Sequence, residues 1–273
     1  MINNSLMGKV LPLVKEASLK ALEWKKEYKV GEAEFKSDGS PVTIVDKKLN
    51  DLIIEGLRGL FPEDLFVGEE SAQSIKGFQN KRIWYVDPID GTKEFVKGSG
   101  EWSMMIGCII NQEIQLSVVC DVERFYVVYA EPHQGVTYLD LKTNEFRKLS
   151  MESEAERLIF VTSQSVKDPY EEKLMQRLQV DDKFAYGSIG LKVVQMLLGK
   201  AQIYINSHRW CSYWDLVPCE LLVSEGGGVL LDFDFKPLDY DPTQGFKMDK
   251  AFFVASQSTY EKHKEDLARV FHS

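Results

Sequence analysis

The stretch WYVDPIDGTKEF, residues 84–95, sets two aspartates three positions apart at the end of an apolar segment. The segment RIWYV predicts a strand, so Asp87 and Asp90 follow the carboxyl end of that strand. Pro88 fixes its own φ, and we expect the chain to turn sharply there and to direct both carboxylates into one space. The stretch therefore predicts a concentration of negative charge at one point of the fold.

Two ionised carboxylates a few ångströms apart repel each other, so they share a proton or bind a cation. Oxygen ligands without histidine or cysteine favour Mg²⁺ over Zn²⁺. Glu69 and Glu70 follow the segment LFVG, which predicts another short strand. If the two strands are neighbours, their carboxyl ends meet and a further carboxylate joins the aspartates. We therefore predict a Mg²⁺ site built from three acids.

Gly91 and Thr92 come directly after the second aspartate and open a segment that permits a helix through Phe95. The first backbone N–H groups of a helix have no intrahelical partner and bind anions such as phosphate. Magnesium ligands beside an anion-binding helix start are the composition of a phosphoryl-transfer site. The alternative is a solvated acidic turn that only caps the helix.

The overall composition limits the classes of function. The 273 residues carry 33 Lys and Arg against 42 Asp and Glu, a formal charge of −9, which argues against nucleic-acid polymers and membranes as partners. The start of the chain has no signal-peptide pattern, and no apolar run reaches about 18 residues. Four well-separated cysteines argue against zinc and against a disulfide framework. We therefore expect a cytoplasmic globular protein.

Hydrophobic spacing predicts two halves of different architecture. Residues 5–28 and 46–59 repeat apolar side chains at helical spacing and indicate two helices. Residues 104–138 contain apolar runs separated by polar turns, as in a meander of antiparallel strands. Strands and helices alternate after that, as in α/β units. We predict a half of helices and antiparallel sheet at residues 1–140 and an α/β half at residues 141–273.

Two motifs carry a resemblance to a known family. VDPIDGTKEFVKG, residues 86–98, resembles the inositol monophosphatase superfamily signature W-x-x-D-P-[IL]-D-G-T. YWDLVPCELLVSEGGG, residues 213–228, is similar to the second signature, which has a W-D pair and a terminal E-A-G-G, but Gly226 replaces the alanine. FVGEES and SPVTIVD match further family segments, so the resemblance covers roughly residues 10–256. It implies a Mg²⁺-dependent phosphomonoesterase with the superfamily's layered α-β-α-β-α sandwich, which combines α+β and α/β character.

The resemblance also implies a set of metal ligands from both halves of the chain. It assigns carboxylates and one backbone carbonyl from the first half, and one aspartate from the second signature. Two or three Mg²⁺ ions would be held between the halves. The implied ligands are Glu69, Asp87, the carbonyl oxygen of Ile89, Asp90 and Asp215.

Other positions match family residues that act on the attacking water. Asp46 matches the aspartate that, together with the threonine at Thr92, orients this water and helps to deprotonate it. Glu70 is expected to position the same water from farther out. Lys36 matches a basic residue in the loop before Asp46, which we assign to a flap over the site and to substrate binding. An ordinary surface lysine is the alternative.

SDGSPVTIVD, DGTKEFVKG and KPLDYDPTQGF resemble the 3'(2'),5'-bisphosphate nucleotidase branch, which removes the 3'-phosphate of adenosine 3',5'-bisphosphate. That branch carries a lysine after a serine-bearing turn, as Lys192 follows Ser188 here. A second phosphate far from the metals needs such a cation. Two departures favour an inositol or sugar-phosphate phosphatase instead. GSIGLK stands where the branch usually has G-S-S-L-K, and Asn206 stands where an arginine commonly holds the nucleotide.

His208, Arg209 and Trp210 offer an alternative cation and a stacking ring, although surface positions and a packed indole are the simpler assignment. The resemblance further implies inhibition by lithium at one magnesium position and, often, a homodimer. A scaffold that has lost catalysis is a third hypothesis, but no ligand position is degraded. The predicted partner is a small phosphorylated molecule, either a nucleotide bisphosphate or an inositol or sugar phosphate.

Overall fold

The computed structural model describes residues 5–29, 32–36, 39–151, 157–164, 167–208 and 210–272. Within these ranges, a seven-stranded and a five-stranded sheet alternate with three layers of helices. The predicted α-β-α-β-α sandwich is therefore confirmed. Arg209 lies outside the described residues.

The first layer contains two helices joined by a short hairpin. Helix α1 (Leu6–Glu27) and helix α2 (Ile44–Leu60) confirm the two predicted helices. The hairpin pairs β1 (Glu34–Phe35) with β2 (Pro41–Val42) and leads directly into α2. Helix α2 begins two residues before the predicted start because Thr43 caps it with its side chain.

The seven-stranded sheet lies beneath this layer. Its strands are β3 (Leu65–Gly68), β4 (Ile83–Asp90), β5 (Ser103–Ile110), β6 (Glu113–Asp121), β7 (Tyr126–Ala130), β8 (Val136–Asp140) and β9 (Phe146–Leu149). They lie side by side in chain order, with β3 parallel to β4 and every later pair antiparallel. The predicted meander is confirmed, and β9 extends the sheet past residue 140. A short helix, α3 (Thr92–Lys97), follows β4.

The remaining chain forms the other three layers. Its strands are β10 (Ile159–Ser163), β11 (Asp182–Tyr186), β12 (Ile203–Asn206), β13 (Gly228–Asp232) and β14 (Phe252–Ser256), arranged in the order β11-β10-β12-β14-β13. The helices between the two sheets are α5 (Ile189–Leu197) and α6 (Tyr213–Glu225), and those on the outer face are α4 (Glu171–Leu178) and α7 (Gln257–Phe271). The sequence pattern does not predict β11, because this edge strand is largely exposed and carries few apolar residues. Among the described residues, no helix has the length and hydropathy needed to cross a bilayer.

Alternation along β4 connects the first two cores. Trp84 and Val86 pack with the helices of the first layer, whereas Tyr85 faces the helices between the sheets. All three side chains are fully buried. A strand that is buried on both faces is apolar at every position, and this explains the continuous apolar segment before the acidic motif.

The acidic motif extends β4 instead of ending it in a turn. Asp87 pairs with Met105 and Asp90 pairs with Ser103, so three steps along β4 face two steps along β5. One extra residue is thus accommodated in a β-bulge, and Pro88, which has no N–H to donate, lies inside it. The predicted sharp turn at Pro88 is wrong. The bulge re-aims the side chains while the strand continues.

Helix α6 packs very closely against its neighbours at two glycines. A Cβ at Gly107 of β5 would lie 2.7 Å from Cγ1 of Val217 and 2.9 Å from the backbone nitrogen of Pro218. A Cβ at Gly226, which ends α6, would lie 2.5 Å from Cδ2 of Leu197 in α5. The departure from the family's alanine at position 226 therefore accompanies a leucine that fills this space.

We expect Gly107→Ala to lower the free energy of unfolding by about 1–3 kcal/mol, because the added methyl group meets the backbone of α6. Urea unfolding followed by circular dichroism measures the change. Gly59→Ala is the matched control, since a Cβ there meets nothing within 4 Å and the site lies near the end of α2. Equal stability of Gly107→Ala and wild type would contradict the close approach.

Candidate active site

Three aspartates from distant parts of the chain converge at one point. Asp87 and Asp90 come from the bulged end of β4, and Asp215 comes from the first turn of α6. One carboxylate oxygen from each lies within 4.8 Å of the other two. Asp87 and Asp90 are buried, and Asp215 is partly exposed. The sheet and the helix behind it thus bring the two sequence motifs together.

Glu69 and Glu70 join this cluster from the neighbouring strand. Strand β3 pairs in parallel with β4 in the register Gly68 to Val86, so the acids after β3 lie beside those at the end of β4. The expectation that the two carboxyl ends meet is confirmed. Glu69 lies close enough to Asp87 for its negative charge to raise the pKa of that aspartate. The structure therefore places four carboxylates, from Glu69, Asp87, Asp90 and Asp215, at one edge of the sheet.

Helix N-termini hold two of these carboxylates. The backbone N–H of Ser212 donates to Oδ2 of Asp215 over 2.5 Å, which forms a capping box at the start of α6. The backbone N–H of Gly190 in α5 donates to Oδ2 of Asp90 over 2.8 Å, and the Ser188 hydroxyl donates to the same oxygen. The positive ends of two helices thus offset part of the repulsion between the acids. They also fix the direction of each carboxylate.

Asp46 is held in the same way beside Thr92. It forms a capping box with Thr43, whose backbone N–H donates to Oδ2 of Asp46 over 2.8 Å. The Thr92 hydroxyl lies 3.2 Å from Oδ1 of Asp46 and 3.1 Å from the carbonyl oxygen of Ile89. The fully buried Asp46 is therefore connected to the acidic strand through a single hydroxyl.

The electrostatics of the cluster disfavour four bare charges. Burial, followed by the neighbouring acids, raises the pKa of Asp87 and of Asp215 well above the ordinary value of an aspartate. Burial also raises the pKa of Asp90, although the hydrogen bond from Ser188 opposes the change. Four oxygen donors without histidine or cysteine fit a hard divalent cation such as Mg²⁺. The residues present can therefore hold the metal that the sequence predicts.

Burial likewise raises the pKa of Asp46 to about 6, despite the opposing hydrogen bonds from Thr43 and Thr92. A carboxylate with a pKa near the working pH can both take up and return a proton. Burial raises the pKa of Glu70 as well. Asp46 is thus the member of the site whose chemistry suits a general base.

Lys36 supplies a positive charge at the rim. Its Nζ lies 2.7 Å from Oε1 of Glu69 and 2.6 Å from Oε1 of Glu70. The side chain is 24% exposed, so both ion pairs are partly shielded from water. Burial lowers the pKa of Lys36, but the two carboxylates outweigh it and the net shift is upward. The lysine assigned to the flap is therefore an ion-pair partner of the acidic cluster.

Ser188 and Lys192 lie behind the acidic cluster. Ser188 is fully buried; its hydroxyl caps α5 and contacts both Asp90 and the Ser103 hydroxyl. Lys192 is 1% exposed, and its Nζ donates to the carbonyl oxygen of Gly187 over 3.0 Å. Neither side chain faces solvent, so direct contact with a substrate requires Lys192 to adopt another rotamer. Its charge acts on Asp90 from behind.

Asn206 ends β12 next to a hollow. Its Nδ2 donates to the Tyr204 hydroxyl over 3.2 Å and lies 3.3 Å from Sγ of Cys211. Its Oδ1 is buried and has no hydrogen-bond partner among the described residues. The hollow beside it is also lined by Ser163 and His208. The ring of His208 stacks on the indole of Trp210 at 5.4 Å, and that indole is 76% exposed.

A larger groove of about 540 Å³ borders this hollow, between the carboxyl end of β10 and the middle of β11. Both spaces are lined by Ser163, and the groove adds the side chains of Lys167 and Lys183. Lys183 is paired with Glu171, which lines both spaces. A volume of this size can take part of a small ligand.

Sequence reasoning missed three residues that position the acids: Thr43, Ser103 and Ser212. Two of them had a signal in the sequence, because TIVD at residues 43–46 and SYWD at residues 212–215 both match the capping pattern that precedes a helix. Ser103 had none. It reaches Asp90 only because β5 pairs with the bulged end of β4.

Comparison with known proteins identifies relatives along most of the chain. The profile of the inositol monophosphatase family matches residues 7–272. The 3'(2'),5'-bisphosphate nucleotidase CysQ of Shigella flexneri is 32% identical over 218 residues, which cover 77% of this chain and 84% of that protein. Inositol monophosphatase 1 of Rattus norvegicus is 29% identical over 210 residues, covering 72% and 73% of the two chains.

A solved structure supports the fold independently. The IMPase of Thermotoga maritima superposes with a TM-score of 0.78, covering 96% of both chains at 22% sequence identity. At 22% identity, this structural similarity shows that the two proteins share a fold. The five-layer sandwich described above is thus an established architecture.

Without divalent cations, we expect the free energy of unfolding to decrease as the pH rises. Folding raises the pKa of Asp215. Above the ordinary pKa of aspartate, the folded protein therefore binds more protons than the unfolded chain, and the loss of stability grows as the pH rises. In EDTA, Asp215→Asn should therefore be more stable than wild type at pH 8 and equally stable near pH 4.

Urea unfolding in EDTA across this pH range measures the difference, and exposed Asp239→Asn is the matched control. Excess Mg²⁺ should reverse the order of stability at pH 8, because a cation that binds the folded state stabilises it by mass action. A difference between Asp215→Asn and wild type that does not vary with pH would contradict the argument.

Proposed function

The chain belongs to the inositol monophosphatase family of phosphatases, and from this premise we propose that it is a Mg²⁺-dependent 3'(2'),5'-bisphosphate nucleotidase. The reaction would convert adenosine 3',5'-bisphosphate to AMP and phosphate. The observation that carries the proposal is the convergence of Asp87, Asp90 and Asp215 within 4.8 Å in a chain similar to a bisphosphate nucleotidase.

In this proposal the acidic cluster holds two or three cations. Dependence on a metal, typically Mg²⁺, is a property of the family. The ligands would be Glu69, Asp87, the carbonyl oxygen of Ile89, Asp90 and Asp215. When bound, such cations make water a better nucleophile and neutralise charge on the phosphate oxygens. Lithium would inhibit the enzyme by competing for one of these positions.

Asp46 and Thr92 would prepare the water that attacks phosphorus. The Thr92 hydroxyl has one proton and reaches both Oδ1 of Asp46 and the carbonyl oxygen of Ile89. In this proposal it donates to Asp46, which leaves the Thr92 oxygen free to accept a hydrogen bond from the water. As the water attacks, its proton would pass to Thr92 and the proton of Thr92 to Asp46. The bond between phosphorus and the 3'-oxygen would break, and that oxygen would take up a proton from solvent to become the 3'-hydroxyl of AMP. The raised pKa of Asp46, about 6, suits this transfer near neutral pH. Glu70 would orient the same water from farther out.

The start of α3 would bind the phosphate group that is cleaved. Gly91 precedes the helix at φ +93°, a left-handed conformation that favours glycine, and a Cβ there would lie 3.1 Å from the carbonyl oxygen of Glu101. The backbone N–H groups of Gly91 and Thr92 belong to the helix start, where N–H groups lack intrahelical carbonyl partners. Phosphate oxygens suit such donors.

Recognition of the second phosphate would involve lysines from both halves of the chain. Lys36 at the rim and Lys167 in the groove beside Asn206 carry positive charge that a bisphosphate needs. In this proposal Ser188 and Lys192 contribute through the turn that holds Asp90, unless Lys192 changes rotamer on binding.

A second candidate function is an inositol or sugar-phosphate phosphatase with the same chemistry. Asn206 favours it, because its buried Oδ1 has no partner within the described part of the chain and can accept a hydrogen bond from a hydroxyl group. A polyol offers several hydroxyl donors, whereas a phosphate dianion offers only acceptors. The similarity to rat inositol monophosphatase 1 is consistent with this alternative.

Phosphate release from matched substrates tests the proposal. With Mg²⁺ present, we expect kcat/KM for adenosine 3',5'-bisphosphate to exceed that for inositol 1-phosphate by at least about tenfold, since a pocket built for a charged group rejects a ligand without it. Adenosine 3'-monophosphate is the control that lacks only the second phosphate. Faster turnover of inositol 1-phosphate would establish the alternative. Absence of Mg²⁺-dependent release from all three esters would contradict both.

We expect Asp46→Asn to lower kcat by about 10²–10⁴-fold, because the amide keeps the shape of the carboxylate but accepts no proton at this pH. In wild type, the pH profile of kcat should fall below about pH 6 as Asp46 becomes protonated. Asp51→Asn, on the exposed side of the same helix, is the matched control. Calorimetry should show Mg²⁺ binding by both variants; if Asp46→Asn retains full turnover, Asp46 is not the base.

A further inference from the structure

Backbone hydrogen bonds hold Lys36 in the hairpin that precedes α2, the helix that carries Asp46. The N–H of Lys36 donates to the carbonyl oxygen of Ser40 over 2.8 Å, and its own carbonyl oxygen accepts from the N–H of Gly39 over 2.9 Å. These bonds close the hairpin formed by β1 and β2, which runs straight into the cap of α2. The Cα of Lys36 is therefore anchored, while its long side chain reaches the two glutamates that follow β3.

The Lys36 ammonium contacts the acids that a metal would need. It lies 2.7 Å from Oε1 of Glu69, which in turn lies close to Asp87. The charge of Lys36 also reaches Asp215, whose pKa it lowers against the other influences. A single ammonium group thus neutralises part of the cluster from the rim, at the side of Glu69 and Glu70.

We propose that the Lys36 ammonium and a divalent cation compete for Glu69, so that cation binding displaces Lys36 from the acidic cluster. This inference rests on the metal-dependent site proposed above. Two cations that share one carboxylate oxygen repel each other strongly in a partly shielded site. The divalent ion carries twice the charge, and the four-carbon stem of Lys36 allows the ammonium to swing away.

Displacement also places the Lys36 ammonium where it can interact with the substrate. Once released from Glu69 and Glu70, the ammonium sits at the rim of a site that has gained positive charge, where an anionic ester enters. The same residue therefore lowers the affinity for metal and supplies a cation for the substrate after the metal is in place. The competition also sets the concentration of Mg²⁺ at which the site fills.

Calorimetric titration with Mg²⁺ at pH 7.5 tests the competition in wild type, Lys36→Met and Lys47→Met. Methionine keeps the length of the side chain and removes its charge. Lys47 is the matched control because it pairs with Glu34 of the same hairpin, over 2.7 Å, and does not contact Glu69 or Glu70 in the structure. We expect Lys36→Met to bind Mg²⁺ about three- to tenfold more tightly than wild type, and Lys47→Met to stay within about twofold of wild type.

Chemical labelling tests the movement without any measurement of activity. Acetylation of lysines, read out by mass spectrometry of peptides, should modify Lys36 several-fold faster when Mg²⁺ is present. The two carboxylates that hold its proton have then moved out of contact, so a larger fraction of Lys36 is the free amine that reacts. Lys47 should react at the same rate in both conditions. Circular dichroism and thermal unfolding in EDTA check that each variant is folded.

The outcomes separate this inference from the proposed function. If wild type binds no Mg²⁺, the metal-dependent site fails and the competition fails with it. If wild type binds Mg²⁺ but Lys36→Met binds it with equal or lower affinity, or if Mg²⁺ leaves the labelling of Lys36 unchanged, only the competition is overturned. Tighter binding by Lys47→Met to the same extent would reduce the effect to general surface charge and overturn the inference as well.

Discussion

The mutual repulsion of carboxylates gathered at one edge of a sheet is the constraint on which the rest of this structure depends. Asp90 and Asp215 each accept a backbone N–H from the first turn of a helix, α5 in one case and α6 in the other. Asp46 does the same at α2. The aligned N–H groups of these helix starts partly neutralise negative charge that the interior would otherwise expel. The layered fold thus points three helix N-termini toward one small region.

The sheet contributes the other half of the arrangement. Parallel pairing of β3 with β4 brings Glu69 beside Asp87, and the bulge at Pro88 keeps the strand paired while it re-aims the aspartates. Close packing at Gly107 then allows α6 to carry Asp215 to the same place. Each of these acids is therefore held by a contact that leaves little room for adjustment, which suits a site whose atoms must keep their distances.

Two lysines neutralise part of the negative charge of the cluster, one from the rim and one from the buried side. Lys36 reaches Glu69 and Glu70 from a hairpin turn at the rim, whereas Lys192 is buried and acts on Asp90 from behind. In the competition proposed above, a divalent cation replaces the first, which is partly exposed and has a long side chain. The second is enclosed by the core and bonded to the backbone of Gly187. The side chains of the site neutralise only part of its negative charge, which is consistent with the family's dependence on a metal.

The sequence by itself determined most of the helices and strands and the family of the chain. Apolar spacing predicted α1, α2 and the meander, and the family signatures around Asp87, Asp90 and Asp215 identified the kind of site, because periodicity and motif spacing are local properties of the chain. Only the tertiary structure decided that Pro88 lies in a bulge, that Ser188 and Lys192 are buried behind Asp90, and that Lys36 is paired with Glu69. These features depend on which strands pair and on which side chains fill the remaining space. Neither can be read from residues taken in order, since the partners lie tens of positions apart.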